Sequence, residues 1–241
     1  MAHTIYRLKK DNKRVKSVTT LINAHLGWSK GALIGWTRKH CLKGDDSMAI
    51  MKEAGRVGTL AHKMIEEFIK GGSVILDDYT PSEISQAKIA YYGYYNWFTN
   101  NNVEFLETEM KLVSEKYGFG GTFDAVGIIG SGYDNSEKLV LIDFKSSNAV
   151  HDEFLVQLAA YRQLWNEHID QKYTVENTPA AKDKPELLES RKKMWKIKGA
   201  IILKLDKEEK GVYEEHKYKI KDLDWGWKVF KLILKLQELK K

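Results

Sequence analysis

The chain has 241 residues, of which 43% are hydrophobic and 30% charged, and this balance excludes a disordered or fibrous protein. Its single cysteine, Cys41, excludes a disulfide framework, a four-thiolate zinc site and a four-cysteine iron–sulfur cluster within this chain. The formal net charge of +6 is compatible with an anionic partner but does not require one.

The ends and the hydropathy of the chain bear on its location. The N-terminal residues lack the apolar core of a signal peptide, and no stretch approaches the ~18 uninterrupted apolar residues of a membrane span. We therefore expect a cytoplasmic protein with no membrane contact.

The first hundred residues have a mainly helical pattern. Capping residues and apolar spacing predict helices over 18–25, 30–42, 47–70 and 81–100. Gly55 and Gly58 lie inside the third of these helices and predict either a loosened turn or a close approach of another backbone. Because there are only 3 prolines and no low-complexity segment, we expect one domain over 1–241.

The pattern changes after residue 100. Alternating and apolar runs predict strands over 103–114, 121–129 and 138–145, and a helix follows over 152–168. The remainder is predicted to be a charged, proline-containing insertion (171–195) and a C-terminal part (196–241) with strands over 198–205 and 212–218 and a helix over 222–241. This order of helices and strands predicts an α/β fold, with a central mixed sheet flanked by helices and a helical N-terminal third.

Three charges stand inside the two apolar strands at the centre of the chain. Such strands are usually covered on both faces, so Asp124, Asp143 and Lys145 occupy costly positions. If the connection turns near residues 133–134, Asp124 lies opposite Asp143, and Lys145 points to the same face. Two carboxylates that close repel each other unless a cation or a proton lies between them, and Mg²⁺ or Mn²⁺ takes oxygen ligands. The alternative is a structural ion pair in which Lys145 neutralises one of the two acids.

Four short segments carry a resemblance to a known family. The segments GTFD at 121–124 and LIDFKSS at 141–147 resemble the core of the PD-(D/E)XK nucleases. The segment QLAAY at 157–161 resembles the Q-x-x-x-Y motif of their RecB-like branch, and GTLAH at 58–62 resembles its G-x-x-x-H element. The stretch SVTTL at 17–21, with the later Trp36, is similar to the openings of phage-type exonucleases. The resemblance covers about 17–165, and the single cysteine separates the chain from relatives with an iron–sulfur cluster.

The resemblance implies a fold, an activity and partners. It implies a restriction-endonuclease-like core over 103–168 and a metal-dependent deoxyribonuclease, most directly an exonuclease acting on the ends of linear DNA in recombination, repair or replication. The implied cofactor is Mg²⁺ or Mn²⁺, without an iron–sulfur cluster. A single-strand annealing protein or a helicase is a further candidate partner, and a homo-oligomer stays open. If the chain is viral, its location is the host cytoplasm.

Two alternatives to the exonuclease stay open at this point. A structure-selective endonuclease would cut branched or flap DNA with the same residues. A non-catalytic DNA-binding protein or recombination scaffold would keep the fold without cleaving DNA.

The resemblance also implies roles for individual residues. The implied metal ligands are three side chains and one backbone carbonyl: His62, Asp124, Asp143 and the carbonyl of Phe144. Lys145 would orient or deprotonate the attacking water, helped by a depressed pKa in a desolvated pocket beside a metal. Glu109 would lie at the edge of the metal site, while Gln157 and Tyr161 would contact the substrate phosphate and support the lysine. Glu66, one turn after His62, would hold the imidazole or reach the metal through water. For each residue the alternative is structural, as an ion pair, a solvated charge or part of the core.

Basic clusters are candidates for contact with the DNA backbone, since lysine and arginine give salt-sensitive, sequence-independent binding to phosphates. The first comprises Arg7, Lys9, Lys10, Lys13, Arg14 and Lys16. The second comprises Arg191, Lys192, Lys193, Lys196 and Lys198. Ser146 and Ser147 are further candidates. A run of charge is usually a solvated face, so we expect only one cluster to touch DNA. Similarly, the aromatic run over 91–98 could stack bases, but packing into the core is favoured.

Overall fold

The computed structural model describes residues 4–130, 137–174, 177 and 185–240. Its strands are β1 (Tyr6–Arg7), β2 (Arg14–Ser17), β3 (Val103–Ser114), β4 (Phe119–Gly130), β5 (Glu137–Lys145), β6 (Gly199–Leu205) and β7 (Tyr213–Lys219). Its helices are α1 (Val18–His25), α2 (Lys30–Leu42), α3 (Ser47–Lys70), α4 (Pro81–Asn100), α5 (Asp152–Lys172), α6 (Pro185–Trp195) and α7 (Ile220–Leu239). Within the described ranges, no helix has both the length and the apolar character needed to cross a bilayer.

The described strands form one mixed sheet of seven strands. Its order is β1-β2-β4-β5-β6-β7, and β3 pairs with β4 outside this path. The β3–β4, β4–β5 and β6–β7 pairs are antiparallel, whereas β2–β4 and β5–β6 are parallel. The prediction of an α/β fold with a central mixed sheet flanked by helices is confirmed.

Helices cover both faces of this sheet and form two hydrophobic cores. On β5, Leu141 belongs to the core shared with α1, α5 and α7, and Ile142 belongs to the core shared with α3 and α4. Both side chains are fully buried, which stabilises the fold by roughly 1.5–3 kcal/mol each. The prediction that the two central strands are covered on both faces is confirmed, so a charge within them lies in a largely desolvated place.

Local signals define the ends of the helices that flank the candidate site. Asp46 caps α3 by accepting hydrogen bonds from the amides of Met48 and Ala49, and Gly71 ends that helix with a φ of 72°. Thr80 and Glu83 form a capping box at the start of α4, where Pro81 occupies the first turn. These signals act within a few residues, and the predicted bounds of both helices agree with the observed ones.

Gly58 marks a close contact within an unbroken helix. The helix α3 continues through Gly55 and Gly58, so the predicted loosened turn is wrong. A Cβ atom at Gly58 would lie 2.8 Å from the Oγ atom of Ser146, whereas a Cβ at Gly55 would meet nothing within 4 Å. The close approach is therefore present, but it is made by a side chain from the loop after β5 rather than by a backbone.

The structure departs from the sequence-based prediction in three places. The N-terminal part contains the β1–β2 hairpin, which was not predicted. The insertion contains α6, while its residues 175–176 and 178–184 lie outside the described part of the chain. Some element bounds also differ from the predicted ones. The strand β4 begins at Phe119 instead of residue 121, and α5 continues to Lys172 instead of ending at residue 168. The predicted turn at 133–134 lies outside the described residues.

Candidate metal centre

The candidate site lies where β4 and β5 separate. Their described pairing runs from Gly130 opposite Glu137 to Ala125 opposite Ile142, which is the predicted register. At its other end β4 pairs with β2 instead, through Phe119 and Gly120. Asp124 and Asp143 are the next residues beyond the last described β4–β5 pair. In place of a ladder hydrogen bond, the backbone N–H of Phe144 donates to Oδ2 of Asp124 at 2.7 Å.

His62 approaches this opening from α3. Its neighbours Leu60 and Ala61 are fully buried in the core between α3 and the sheet, which fixes the helix against the strands. The Nδ1 atom of His62 lies 3.6 Å from Oδ2 of Asp124, and the two side chains are 29% and 16% exposed. The imidazole also meets the ring of Phe144 edge-on, with the ring centroids 6.1 Å apart. The motif residue His62 therefore contacts the acid of β4.

Glu109 completes the cluster through an unusual backbone conformation. Its neighbours pair with β4 as Thr108 opposite Ala125 and Met110 opposite Phe123, which places Glu109 beside Asp124. Its φ is +50°, a left-handed value that costs a residue other than glycine roughly 1–2 kcal/mol. Among the described residues, the ligand atoms of His62, Glu109 and Asp124 all lie within 4.8 Å of one another. Backbone strain of this kind tends to occur at functional sites.

Asp143 and Lys145 flank this cluster as a buried ion pair. Asp143 is 1% exposed, and the Nζ atom of Lys145 lies 2.5 Å from its Oδ2 atom. Within the described residues, neither carboxylate oxygen of Asp143 accepts a hydrogen bond of suitable geometry. The ammonium of Lys145 also lies 4.8 Å from the centre of the Phe154 ring on α5. Asp143 is not one of the three clustered ligands, so its predicted role as a ligand stays a prediction.

The carboxyl groups perturb one another's pKa values. Burial, together with the charge of Asp124 and against that of His62, raises the pKa of Glu109 to about 7. Burial raises the pKa of Asp143 to about 6, against the opposing charge of Lys145 and with a further rise from Asp124. For Asp124, burial would raise the pKa, but the charges of His62 and Lys145 outweigh it and hold the pKa below its ordinary value.

The neighbouring acids raise the pKa of both basic groups of the site. Burial would lower the pKa of Lys145, but Asp143 and Asp124 outweigh it and raise this pKa above the ordinary value. A depressed pKa of Lys145 was predicted for a pocket that also holds a metal ion, and it stays a prediction. The pKa of His62 is also raised, since Asp124 outweighs the effect of burial. A cation bound by His62 would have to displace its proton.

The donor set fits a hard divalent cation. Carboxylate oxygens are the ligands that Mg²⁺ and Mn²⁺ prefer, and two acids converge with an imidazole here. Asp143, which is buried and paired with Lys145, adds a third carboxylate to the same region. A cation is one of the few partners that would satisfy so many carboxylates at once.

Gln157 and Tyr161 lie together on the face of α5 that meets the strands. The side-chain amide of Gln157 donates to the Tyr161 hydroxyl at 2.9 Å, and the Tyr161 ring packs so closely on Gly121 that a Cβ atom there would lie 2.7 Å away. Burial and the nearby charge of Asp143 raise the pKa of Tyr161. The structure thus brings both residues near the ion pair, and their contact with a phosphate stays a prediction.

Other predicted site residues have structural partners. Glu66 pairs with Lys70 one turn later rather than with His62. Tyr94 and Trp97 are fully buried, as favoured for the aromatic run, while Tyr92 and Tyr95 keep exposed edges.

The two basic clusters lie on separate elements. The first is on the β1–β2 hairpin, where the guanidinium of Arg7 donates to the carbonyl of Asn12 and the ammonium of Lys16 donates to Gln237. The second is on and after α6, where Lys192 pairs with Glu189 and Lys196 with Asp170. Part of the second cluster is therefore neutralised by neighbouring acids, and contact of either cluster with DNA stays a prediction.

A contact that the sequence did not predict joins Tyr6 of β1 to Thr122 of β4, two residues before Asp124. The Tyr6 and Thr122 hydroxyls lie 2.8 Å apart, and Tyr6 packs on Gly120. Burial raises the pKa of Tyr6, and the nearby Glu109 raises it further. No motif marks Tyr6, since its place depends on the pairing of the short strands β1 and β2.

The site is also the main basis for assigning a function. No protein-family model matches this chain, and no curated protein matches it.

Proposed function

We propose that this protein is a metal-dependent deoxyribonuclease that hydrolyses DNA phosphodiester bonds, most directly at the ends of linear DNA. The observation that carries the proposal is the cluster of His62, Glu109 and Asp124 beside the buried Asp143–Lys145 pair. The resemblance of the same residues to the PD-(D/E)XK pattern supports it independently of their geometry. The restriction-endonuclease-like core is part of this proposal.

His62, Glu109 and Asp124 would hold the cation, with Asp143 and the carbonyl of Phe144 next to them. When bound, Mg²⁺ or Mn²⁺ would polarise a phosphoryl oxygen and lower the pKa of a coordinated water. Lys145 would orient or deprotonate the attacking water and offset charge at the substrate phosphate, and the two carboxylates beside it raise its pKa. Asp143 holds the ammonium of Lys145 in place through their ion pair.

A purely structural ion pair explains less of this arrangement. One aspartate would suffice to neutralise Lys145, yet Asp124 and the partly buried Glu109 stand in the same region. The left-handed backbone of Glu109 costs stability, and an ion pair between Asp143 and Lys145 does not require it.

The experiment that tests the proposal compares the wild type with Asp124→Asn and Lys145→Ala on linear duplexes labelled at the 5′ or the 3′ end, with Mg²⁺. We expect both variants to lose about 10²–10³-fold or more of the cleavage rate while their circular dichroism spectra stay unchanged. Asp170→Asn, which removes only the acid of a surface ion pair, is the matched control and should retain the rate. If either site variant keeps near-native activity, the proposal is refuted.

The same assay with covalently closed circular DNA separates the modes of cleavage. An exonuclease leaves the circle intact, whereas an endonuclease opens it. A protein that binds both substrates and cleaves neither, at any Mg²⁺ or Mn²⁺ concentration, would be a scaffold and would contradict the proposal.

A further inference from the structure

A polar cavity adjoins the candidate metal centre. It has a volume of about 280 Å³ and lies between the loop that follows β5 and the turn that connects β6 to β7. Its wall includes Ser146, Asn148, Lys204, Asp206 and Lys207. Hydroxyl, amide and ammonium groups predominate among these side chains, so the cavity suits a polar ligand.

The cavity shares its wall with the site described above. Ser146 follows Lys145 directly, and Lys145 stands beside Lys204 in the parallel pairing of β5 with β6. Ser146 also packs on Gly58, which lies one helical turn before His62 on α3. A strand that reaches the metal centre can therefore place a neighbouring group in this cavity.

The acids around the cavity are already engaged or lie in solvent. The Oδ1 atom of Asp206 accepts hydrogen bonds from the backbone N–H groups of Glu208 and Glu209, at 2.7 and 2.8 Å, so this carboxylate closes its own turn. Glu208 is exposed, and Glu214 is paired with Lys204. The hydrogen bonds to Asp206 favour its charged form, so the cavity wall carries the acids Asp206 and Glu208 as well as the ammonium groups of Lys204 and Lys207.

Lys207 is the cation left for a ligand. It is half-buried, and within the described residues it forms no ion pair. Burial lowers its pKa, which the charges of its neighbours Glu208 and Asp206 only partly offset. A partly desolvated ammonium without a counter-ion is stabilised by an anion that enters the cavity.

We propose that this cavity binds a phosphate of the DNA strand next to the one that is cleaved, with Lys207 as its cation and the Ser146 hydroxyl and Asn148 amide as neutral donors. The Ser147 hydroxyl is not among these donors, because it donates to the carbonyl of Ala149 at 2.8 Å. The inference rests on the proposed nuclease function and adds to it a residue, Lys207, that lies outside every motif.

The first experiment measures the affinity for an end-labelled linear duplex by fluorescence anisotropy, with Ca²⁺ in place of Mg²⁺ to slow turnover. Lys207→Gln should raise the Kd about tenfold near 0.1 M salt. The slope of log Kd against log salt should fall by about 0.7–0.9, as expected for the loss of one phosphate contact. Lys207→Arg keeps the charge and should stay within about threefold of the wild type.

Lys210→Gln is the matched control. Lys210 lies on the same exposed turn, but its ammonium is 3.9 Å from the centre of the Tyr92 ring, away from the cavity lining. Its substitution should leave both the Kd and the salt slope unchanged.

The second experiment locates the phosphate. Single methylphosphonates, which remove one backbone charge, are placed in turn on both sides of the cleaved bond. At one position the neutral linkage and Lys207→Gln should together weaken binding no more than either change alone. Additive effects at every position, or an unchanged Kd and salt slope for Lys207→Gln, would overturn the inference while leaving the nuclease proposal intact. If the wild type neither binds nor cleaves DNA, the nuclease proposal fails and the inference fails with it.

Discussion

Replacing Glu109 by glycine should stabilise the protein and weaken binding of a cation at the proposed metal site. Glu109 combines a φ of +50° with a carboxyl group that burial and Asp124 oppose in its ionised form. Glycine adopts the left-handed backbone without the roughly 1–2 kcal/mol cost, although its greater freedom in the unfolded chain takes back about 0.5–1 kcal/mol. The backbone alone should therefore contribute about 0.5–1 kcal/mol to the free energy of unfolding.

The charge of Glu109 adds a pH-dependent contribution to the stability that Glu109→Gly should gain. Its pKa is raised from 4.5 to about 7, so the folded state binds more protons than the unfolded state between these values. The stability of the wild type must then fall as the pH rises through this window, and the full cost of ionising Glu109 in the folded state is reached above pH 7. The full shift would correspond to ~3 kcal/mol, and solvent screening of a partly exposed group reduces this to about 2 kcal/mol. Glu109→Gly should therefore gain about 2–3 kcal/mol at pH 8 and about 1 kcal/mol or less at pH 4.5.

Thermal unfolding in EDTA, at pH 8 and near pH 4.5, measures both parts. For a chain of this length the gain at pH 8 corresponds to a rise in Tm of about 5–10 °C. Glu109→Gln is the matched variant, because it removes the charge and keeps the strained backbone, and it should gain only the pH-dependent part. A Glu109→Gly protein that is less stable than the wild type at pH 8 would refute both the strain and the unfavourable charge.

Two further predictions concern the cation and the packing of α3. At a Mn²⁺ concentration ten times its Kd, the wild type should gain about 1.4 kcal/mol, or a few °C in Tm, whereas Asp124→Asn should gain almost nothing. The gain should be smaller at pH 6 than at pH 8.5, because the raised pKa values of His62 and Glu109 make the cation compete with protons, and an equal gain at both pH values would contradict this. Gly55→Ala, in open space, should raise stability by about 0.5–1 kcal/mol, while Gly58→Ala meets Ser146 and should lose that gain and reduce DNA cleavage. Equal stability and equal activity of these two alanine variants would show that the contact with Ser146 has no consequence.

The sequence predicted the elements whose signals are local. Asp46 and Gly71 bound α3, and the capping box at Thr80 starts α4, so each helix end follows from residues within one turn of it. The register of β4 with β5 was also predictable, because two apolar runs of similar length flank one connection. That register accounts for the placement of Asp124 and Asp143 at the end of the same ladder.

The features that were missed depend on partners far away in the chain. The strands β1 and β2 have 2 and 4 residues and charged sequences, and they exist as strands because β2 pairs with Phe119 and Gly120 of β4. The depressed pKa of Lys145 was predicted from burial and a neighbouring metal ion; burial does lower this pKa, but the two carboxylates that strand pairing brings beside it raise it by more. The backbone conformation of Glu109 has no sequence signal, since glutamate rarely adopts a positive φ.

The charges of the site explain why a fold would keep such costly groups together. The negative charges of Asp124 and Asp143 are opposed by the positive charges of His62 and Lys145. Glu109 adds a third acid, and its pKa of about 7 leaves it only partly ionised near neutral pH. The opposite charges of these groups therefore partly cancel, and the raised pKa values of His62 and Glu109 favour their protonated forms. When a divalent cation replaces those protons, all three carboxylates can be ionised while Lys145 keeps its charge for a phosphate. A structural ion pair does not need groups that can exchange a proton for a cation. The proposed metal site does, because the protein folds before it binds the cation.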